Sequence, residues 1–371
     1  MAQTFFDKLE QHLQKKLPFV AYRKPEEQML HAMYQANDTL EELTASTNSG
    51  FVLAPFNSAH SKVLIVPKEK DSSVYTRSSI DTPENFNRVL ARPNAAAKLQ
   101  YTNNVIKAIQ QIKAGAMEKV VLSHKIAVDT TKDPIVIFKE MLDRYSNAFC
   151  YLWYHPKIGL WLGATPELLL HVSNQRLTTM SLAGTQPYKE GIIPGWKAKE
   201  IQEQQLVTSY ISDILKDKLQ DMQVSDRSSI RAGNLWHLQH QFSGKLNNAV
   251  TVAEIVAALH PTPAVCGLPK QAARDFIETH ELYDRAYYTG FLGVLHQKEQ
   301  KSRAKNNTNV EHLAYRAIKN TSSLYVNLRC MQITENKAYI YVGGGITASS
   351  DPQKEWQETL NQSATMLNLL N

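Results

Sequence analysis

The sequence predicts an α+β fold. Runs rich in Val, Ile and aromatic residues come in groups joined by turn residues, and helical patterns fall between the groups. A parallel α/β chain would alternate strand and helix more strictly. No internal repeat divides the chain.

Taken in order, "MAQTFFDKLEQHLQKK" is an amphipathic helix mixing acids and lysines, not a charged start followed by an apolar signal segment. "FVLAPF" and "KVLIVP" are short apolar runs of strand type. The polar stretch 68–88, "KEKDSSVYTRSSIDTPENFNR", is expected to be a loop. Tyr101, Val105, Ala108 and Ile112 then recur at helical period, followed by the strand "KVVLSHKIAV". Residues 149–172 predict two strands around the turn "HPKIG" and a further segment. Residues 197–222 and 269–288 are expected to be helical. "SLYVNLRCMQI" and "KAYIYVGGGI" each predict a strand, and a last helix begins at Pro352 with Asp351 as N-cap. The polar, basic segment 297–309 is expected to be an exposed insertion.

Bulk composition narrows the function classes. With 371 residues, 43% of them hydrophobic and 20% charged, the chain can bury a large core as a globular protein. A net charge of +6, without a dense Lys/Arg run interleaved with aromatics, speaks against nucleic-acid binding and suits an anionic small substrate. Three unpaired-looking cysteines, Cys150, Cys266 and Cys330, fit a reducing compartment, so a cytoplasmic location is expected. No apolar run spans a bilayer, so no membrane partner is expected.

Two acid pairs stand out. Glu200 and Glu203 in "KEIQEQ", and Glu355 and Glu358 in "DPQKEWQETLNQ", are each three residues apart on predicted helices. Such residues share a helix face, where like charges are mildly destabilising. A solvated face explains either pair. A cation held between the helices would explain both, and carboxylates with few other ligands suit Mg²⁺.

The blocks "EKVVLSHK", "LGATPELLL", "SLAGT", "LHPTPAVCGLPKQAA", "DRAYYTGFLG" and "VGGGITASSDPQKEWQET" occur in the order seen in the chorismate-utilising enzymes. The chain resembles that family. Among its members it is most similar to isochorismate synthases, on "LHPTPAVCG" with His260 and Thr262 and on "KVVLSHK" with Lys119. In "SLAGT", Ala183 stands where aminodeoxychorismate synthases carry a nucleophilic lysine, which argues against a covalent route.

The resemblance implies an anthranilate synthase component I-like fold, two packed antiparallel β-sheets flanked by helices. Residues 91–371 would form the chorismate-binding catalytic region, and residues 1–90 the more weakly matched N-terminal part of one compact domain. It implies an isomerase that converts chorismate to isochorismate, adding water at C2 as the C4 hydroxyl leaves, and feeding menaquinone synthesis. No glutaminase partner is expected. Lys119 would be the base and Glu167 the acid, one needing a depressed pKa and the other a raised one. Glu203 and Glu358 would hold Mg²⁺ directly, with Glu200 and Glu355 acting through water. Arg329 and Tyr288 would take the enolpyruvyl carboxylate, although Tyr287 competes for that register. Gly343, Gly344 and Gly345 could offer backbone N–H groups to a carboxylate or simply form a tight turn. Thr185, His237 and His260 would be pocket residues.

The sequence departs from the family at Gln362, where most relatives carry a lysine, and at His124 and Lys125, where they more often have arginine. The competing activities are salicylate synthase, which would go on to expel pyruvate, and anthranilate synthase, which "LHPTPAVCG" disfavours. A binding-only homologue rests on Gln362 alone.

Overall fold

The computed structural model describes residues 4–43, 49–57, 59–76, 94–188, 191–232, 235–301 and 317–371. The N-terminal segment forms helix α1 (Phe5–Gln14), closed by a capping box in which Thr4 and Asp7 each accept the other's N–H. Strands β1 (Phe19–Arg23), β2 (Met29–Tyr34), β3 (Glu41–Glu42), β4 (Gly50–Ala54), β5 (Val63–Ile65) and β6 (Glu69–Val74) follow. The last corrects the loop expected over 68–88. Its sequence EKDSSV has no apolar alternation because β6 is an edge strand, paired only with β2 and charged at Glu69, Lys70 and Asp71. Residues 77–88 of that stretch lie outside the described residues.

Helix α2 (Ala95–Lys113), β7 (Lys119–Asp129), α3 (Pro134–Arg144), β8 (Phe149–His155), β9 (Gly159–Thr165), β10 (Leu168–Ser173) and β11 (Arg176–Pro187) come next. The helix expected over 197–222 stops early. Helix α4 (Ala198–Leu215) gives way to β12 (Leu219–Val224), which joins β13 (Ser228–Ala232) on β14 (Leu235–Leu246). After α5 (Val252–Leu259) and the short β15 (Gly267–Leu268), helix α6 (Lys270–His280) also ends before the expected 288. Residues 281–290 turn instead, with Ala286 and Thr289 at φ 48° and 58°.

Strands β16 (Phe291–Lys301) and β17 (Ala317–Val326) form a long antiparallel pair. Residues 297–301, expected in an insertion, therefore continue a strand, and 302–309 lie outside the described residues. The single strand expected over 323–333 is two, β17 and β18 (Cys330–Thr334), broken at residues 327–329. Strand β19 (Lys337–Ile346) and helix α7 (Pro352–Leu370) complete the chain. Asp351 caps α7 by accepting the N–H groups of Gln353 and Lys354.

The strands form two sheets. One runs β15-β7-β19-β18-β9-β8-β1-β2-β6, the other β12-β14-β11-β10-β17-β16-β4-β5-β3, with β13 also on β14. Strands from the first 74 residues thus complete both sheets. In β1 the period of two is used on both faces. Phe19 and Ala21 pack under α1, α2, α3, α6 and α7, whereas Val20 and Tyr22 face the second sheet. The core between the sheets is aromatic, with Phe51, Phe149, Tyr151, Trp153, Trp161 and Tyr325. Helices α4 and α5 cover the outer face of the second sheet. No helix among the described residues is long and apolar enough to cross a membrane.

Two of the places where the chain passes from one sheet to the other are Pro166–Glu167, from β9 to β10, and residues 327–329, from β17 to β18. The crossings touch, because the Val326 N–H donates to the Glu167 carbonyl. They bring Glu167 and Arg329 to one place.

Candidate active site

At these crossings lies an open cleft walled by both sheets, α4 and α7. Its lining includes Glu167, Thr185, Glu200, Glu203, His237, Tyr288, Arg329, Gly343, Gly344, Gly345, Glu358 and Gln362. Most of the residues singled out from the sequence therefore meet, although they come from positions as far apart as 167 and 362.

Glu167 is almost wholly buried, at 4% exposure. The Thr165 hydroxyl, which donates to the Val326 carbonyl at 2.6 Å, accepts the Glu167 N–H at 3.3 Å, so the backbone here is held from both sheets. Burial pushes its carboxyl up to about 8, against the opposing pull of Lys119 and Arg329. It is thus a protonated acid at neutral pH. Lys119 opens β7 and has no solvent exposure. Its ammonium lies 2.9 Å from Glu203 Oε1, at an angle that makes no directed hydrogen bond.

Arg329 occupies the second crossing with φ 47°, a left-handed conformation that a non-glycine residue adopts only where its surroundings impose it. Its carbonyl accepts the Ala164 N–H at 3.0 Å. The guanidinium faces the cleft, and no carboxylate pairs with it among the described residues. Tyr288 stacks on Tyr341 and lines the cleft, whereas the Tyr287 hydroxyl donates to the Ser61 carbonyl outside it.

Thr185 and His237 are cross-strand partners on β11 and β14. Burial lowers the His237 pKa to about 3, so the ring is neutral. Its Nδ1–H donates to the Gly184 carbonyl at 3.0 Å, leaving the buried Nε2 lone pair without a partner. His260 is elsewhere. Its Nε2 lies 3.2 Å from the Pro55 carbonyl and its ring packs edge-on against Phe291, so it does not line the cleft. The residue follows α5, and the direction in which that helix ends could not be read from "LHPTP".

The three glycines form no turn. They are part of β19, opposite Ser123, Leu122 and Val121. A side chain at 343 would press on Leu122 O and the Tyr288 hydroxyl, and one at 345 would sit 2.2 Å from Glu203 Oε1. Strand β18 pairs with β19 only as far as Ile340, so the edge beyond it is open toward α7. There Gln362 Oε1 accepts the Gly343 N–H at 3.3 Å, while its amide donates to Glu358 Oε1 at 3.3 Å. A lysine at 362 could not accept that N–H.

The acid pairs are not on solvated faces. Glu355 is 2% exposed and paired with Lys199, a cleft residue that the sequence reading missed although it precedes Glu200. Glu200 lines the cleft and also accepts the Lys197 N–H at the start of α4. Burial first, and then Glu355 and Glu203, push Glu358 up to about 8. These oxygen-only donors on two facing helices fit a hard divalent cation in chemistry and place. Among the described residues they do not converge into a ready three-ligand cluster, and Lys119 and Lys199 each engage one of them.

Comparisons with known proteins give the family of the chain. A model of the chorismate binding enzyme family matches residues 55–302, and a second chorismate binding enzyme model matches residues 314–368. The isochorismate synthase EntC of Escherichia coli K12 is 29% identical over 315 residues, covering 81% of this chain and 71% of that protein. A putative 2,3-dihydroxybenzoate-specific isochorismate synthase, DhbC from Bacillus anthracis, superposes with a TM-score of 0.77 at 23% identity, covering 97% of this chain and 99% of the other. MenF, the menaquinone-specific isochorismate synthase of Escherichia coli, superposes with a TM-score of 0.75 at 21% identity, covering 95% and 89%. The chain belongs to the chorismate binding enzyme family.

Proposed function

We propose that the protein is an isochorismate synthase, an isomerase that interconverts chorismate and isochorismate with Mg²⁺ bound. The observation that carries this reading is one cleft lined by a carboxyl that is protonated at neutral pH, by an arginine that can meet an anion, and by Glu203, which the fully buried Lys119 touches from behind the lining. The resemblance to isochorismate synthases supplies the substrate.

The chain's residues divide the work. Arg329 offers the fork that binds a carboxylate in two parallel bonds, and Tyr288 adds a hydroxyl beside it. Lys119 is the base that takes a proton from the water that adds at C2. Glu167 gives its proton to the departing C4 hydroxyl, so that water leaves and the net change is isomerisation. The neutral His237 presents Nε2 as an acceptor for a substrate hydroxyl. Glu203 and Glu358, with Glu200 and Glu355 beside them, would hold the Mg²⁺. When bound, the ion supplies positive charge that orients the ring carboxylate. A bound divalent ion would favour the ionised form of the buried Glu358 and offset the charge of a dianionic substrate.

We assign the product to menaquinone supply, the branch named for one of the solved relatives, MenF, and complementation of a menaquinone-deficient strain tests that branch. The three cysteines are buried and free, which suits a cytoplasmic enzyme. The first experiment is incubation of the purified protein with chorismate, with and without Mg²⁺, products being read by NMR and pyruvate assayed in the same tubes. Mg²⁺-dependent isochorismate without pyruvate is expected, and Lys119→Ala should abolish it while chorismate still binds. Salicylate with pyruvate, or unimpaired turnover in Lys119→Ala, would overturn the assignment.

A further inference from the structure

Behind the cleft wall a buried ion pair gathers the segments that carry its residues. Arg285 is 3% exposed and Glu281 8%. Arg285 donates from Nε to Glu281 Oε2 at 2.7 Å and from Nη2 to Oε1 at 2.6 Å. The rest of the fork reaches three other places. Nη2 donates to the Val121 carbonyl at 2.7 Å, and Nη1 to the Val265 carbonyl at 3.0 Å and the Thr289 hydroxyl at 3.3 Å. Glu281 Oε1 in turn accepts the backbone N–H of Ser123 at 2.7 Å and its hydroxyl at 2.9 Å.

Val121, Val265 and Thr289 line the cleft, while neither Arg285 nor Glu281 does. Val121 and Ser123 lie two and four residues beyond Lys119 on β7, on the same face of the strand. The turn between Arg285 and Gly290 carries Tyr288 and holds Ala286 and Thr289 in left-handed conformations without glycine. Such a backbone persists only where its surroundings over-determine it. We infer that Arg285 and Glu281 are positioning residues. Their fork sets the strand that presents Lys119 and the turn that presents Tyr288 in register with the rest of the cleft. Net stability is a poor reason for keeping such a pair, because a buried ion pair replaced by well-packed apolar residues often costs nothing. Lysine cannot substitute, since an ammonium has no planar fork to bridge a carboxylate and two carbonyls.

This inference deepens the proposed function and rests on it, so the test carries a readout that does not need turnover. Arg285→Lys and the double variant Arg285→Met/Glu281→Met are compared with wild type in three measurements: kcat and KM for chorismate, thermal midpoint, and backbone hydrogen exchange. Misplacing a catalytic group by about an ångström can cost about a hundredfold in rate. Arg285→Lys should therefore lose at least about tenfold in kcat, and KM should rise as well, because the turn that carries Tyr288 also bonds Asn327 at the crossing that holds Arg329. The double variant should melt close to wild type yet stay down by a similar factor. Its amides in 119–123 and 285–290 should exchange at least about tenfold faster while the distant core keeps its protection. If it regains both melting temperature and turnover, the pair only stabilises the fold and the inference falls. Unchanged local exchange in a well-folded variant would sink it equally. Should the double variant not fold, Arg285→Lys decides below its own midpoint, where wild-type kcat would refute the positioning role. Wild-type protein that makes no isochorismate refutes the assigned reaction instead, and the exchange result still decides for or against the tether.

Discussion

Replacing Glu167 with glutamine should remove activity and strengthen the fold at once. Burial raises this carboxyl from 4.5 to about 8. Between those values the folded protein holds a proton that the unfolded chain has released, so stability falls as pH rises through this window. Each pH unit is worth about 1.4 kcal/mol, so by pH 7 the cost of keeping the buried group reaches up to about 3 kcal/mol. Glutamine is nearly isosteric with the protonated acid and has no such cost. At about 2.1 cal/mol/K per residue, an unfolding entropy for 371 residues converts 3 kcal/mol into a rise of about 4 °C in Tm. Below pH 4.5 the gain should vanish, since both states of the wild type are then protonated. Glutamine cannot donate a proton to a leaving hydroxyl, and loss of general acid catalysis costs about 10²- to 10⁴-fold. The assay is kcat for chorismate with calorimetric melting at pH 4 and pH 7, and isothermal titration confirming that chorismate still binds. A variant that melts lower at pH 7, or that turns over within a few-fold of wild type, would refute both the buried-acid argument and the catalytic role.

Glu203→Ala should abolish the Mg²⁺ dependence of turnover, and an unchanged Mg²⁺ titration would remove this residue from the metal site. Gly345→Ala places a methyl group 2.2 Å from Glu203 Oε1 and 2.9 Å from Lys119 Cε. It should cut kcat at least about tenfold by displacing that pair, with little loss in Tm because the ends of two flexible side chains can yield. Normal kinetics in this variant would mean that the Lys119–Glu203 arrangement is immaterial. His260→Asn should leave KM for chorismate within about threefold of wild type, since the ring faces Pro55 and not the cleft. A large rise in KM would return His260 to the binding site.

Most of the residues that line the candidate site were legible because side-chain chemistry and spacing are properties of the chain itself. The "GATPE" and "YVNLR" segments, the two Glu-x-x-Glu pairs and the Asp351–Pro352 helix start are all local, and α7 begins where the cap demands. The α+β class was legible for the same reason, since Phe19–Arg23 or Lys119–Asp129 declares a strand by its own residues. Where a segment's partner decides its state, sequence reading failed. Residues 69–74 are a strand only because β2 lies beside them, and residues 297–301 only because β17 does. The break at residues 327–329 has no breaker residue, and exists because the chain must leave one sheet for the other. That crossing, with its neighbour at Glu167, creates the cleft.

By itself, then, the sequence determined which residue types were available and the local elements that carry them. Only the tertiary structure decided their surroundings: that Glu167 and Glu358 are held near 8, that Lys119 meets Glu203, that Tyr288 and not Tyr287 turns inward, and that His260 turns away. The reason is physical. Desolvation and Coulomb interaction depend on distance in space, and segments more than a hundred residues apart become neighbours only when the two sheets close on one another.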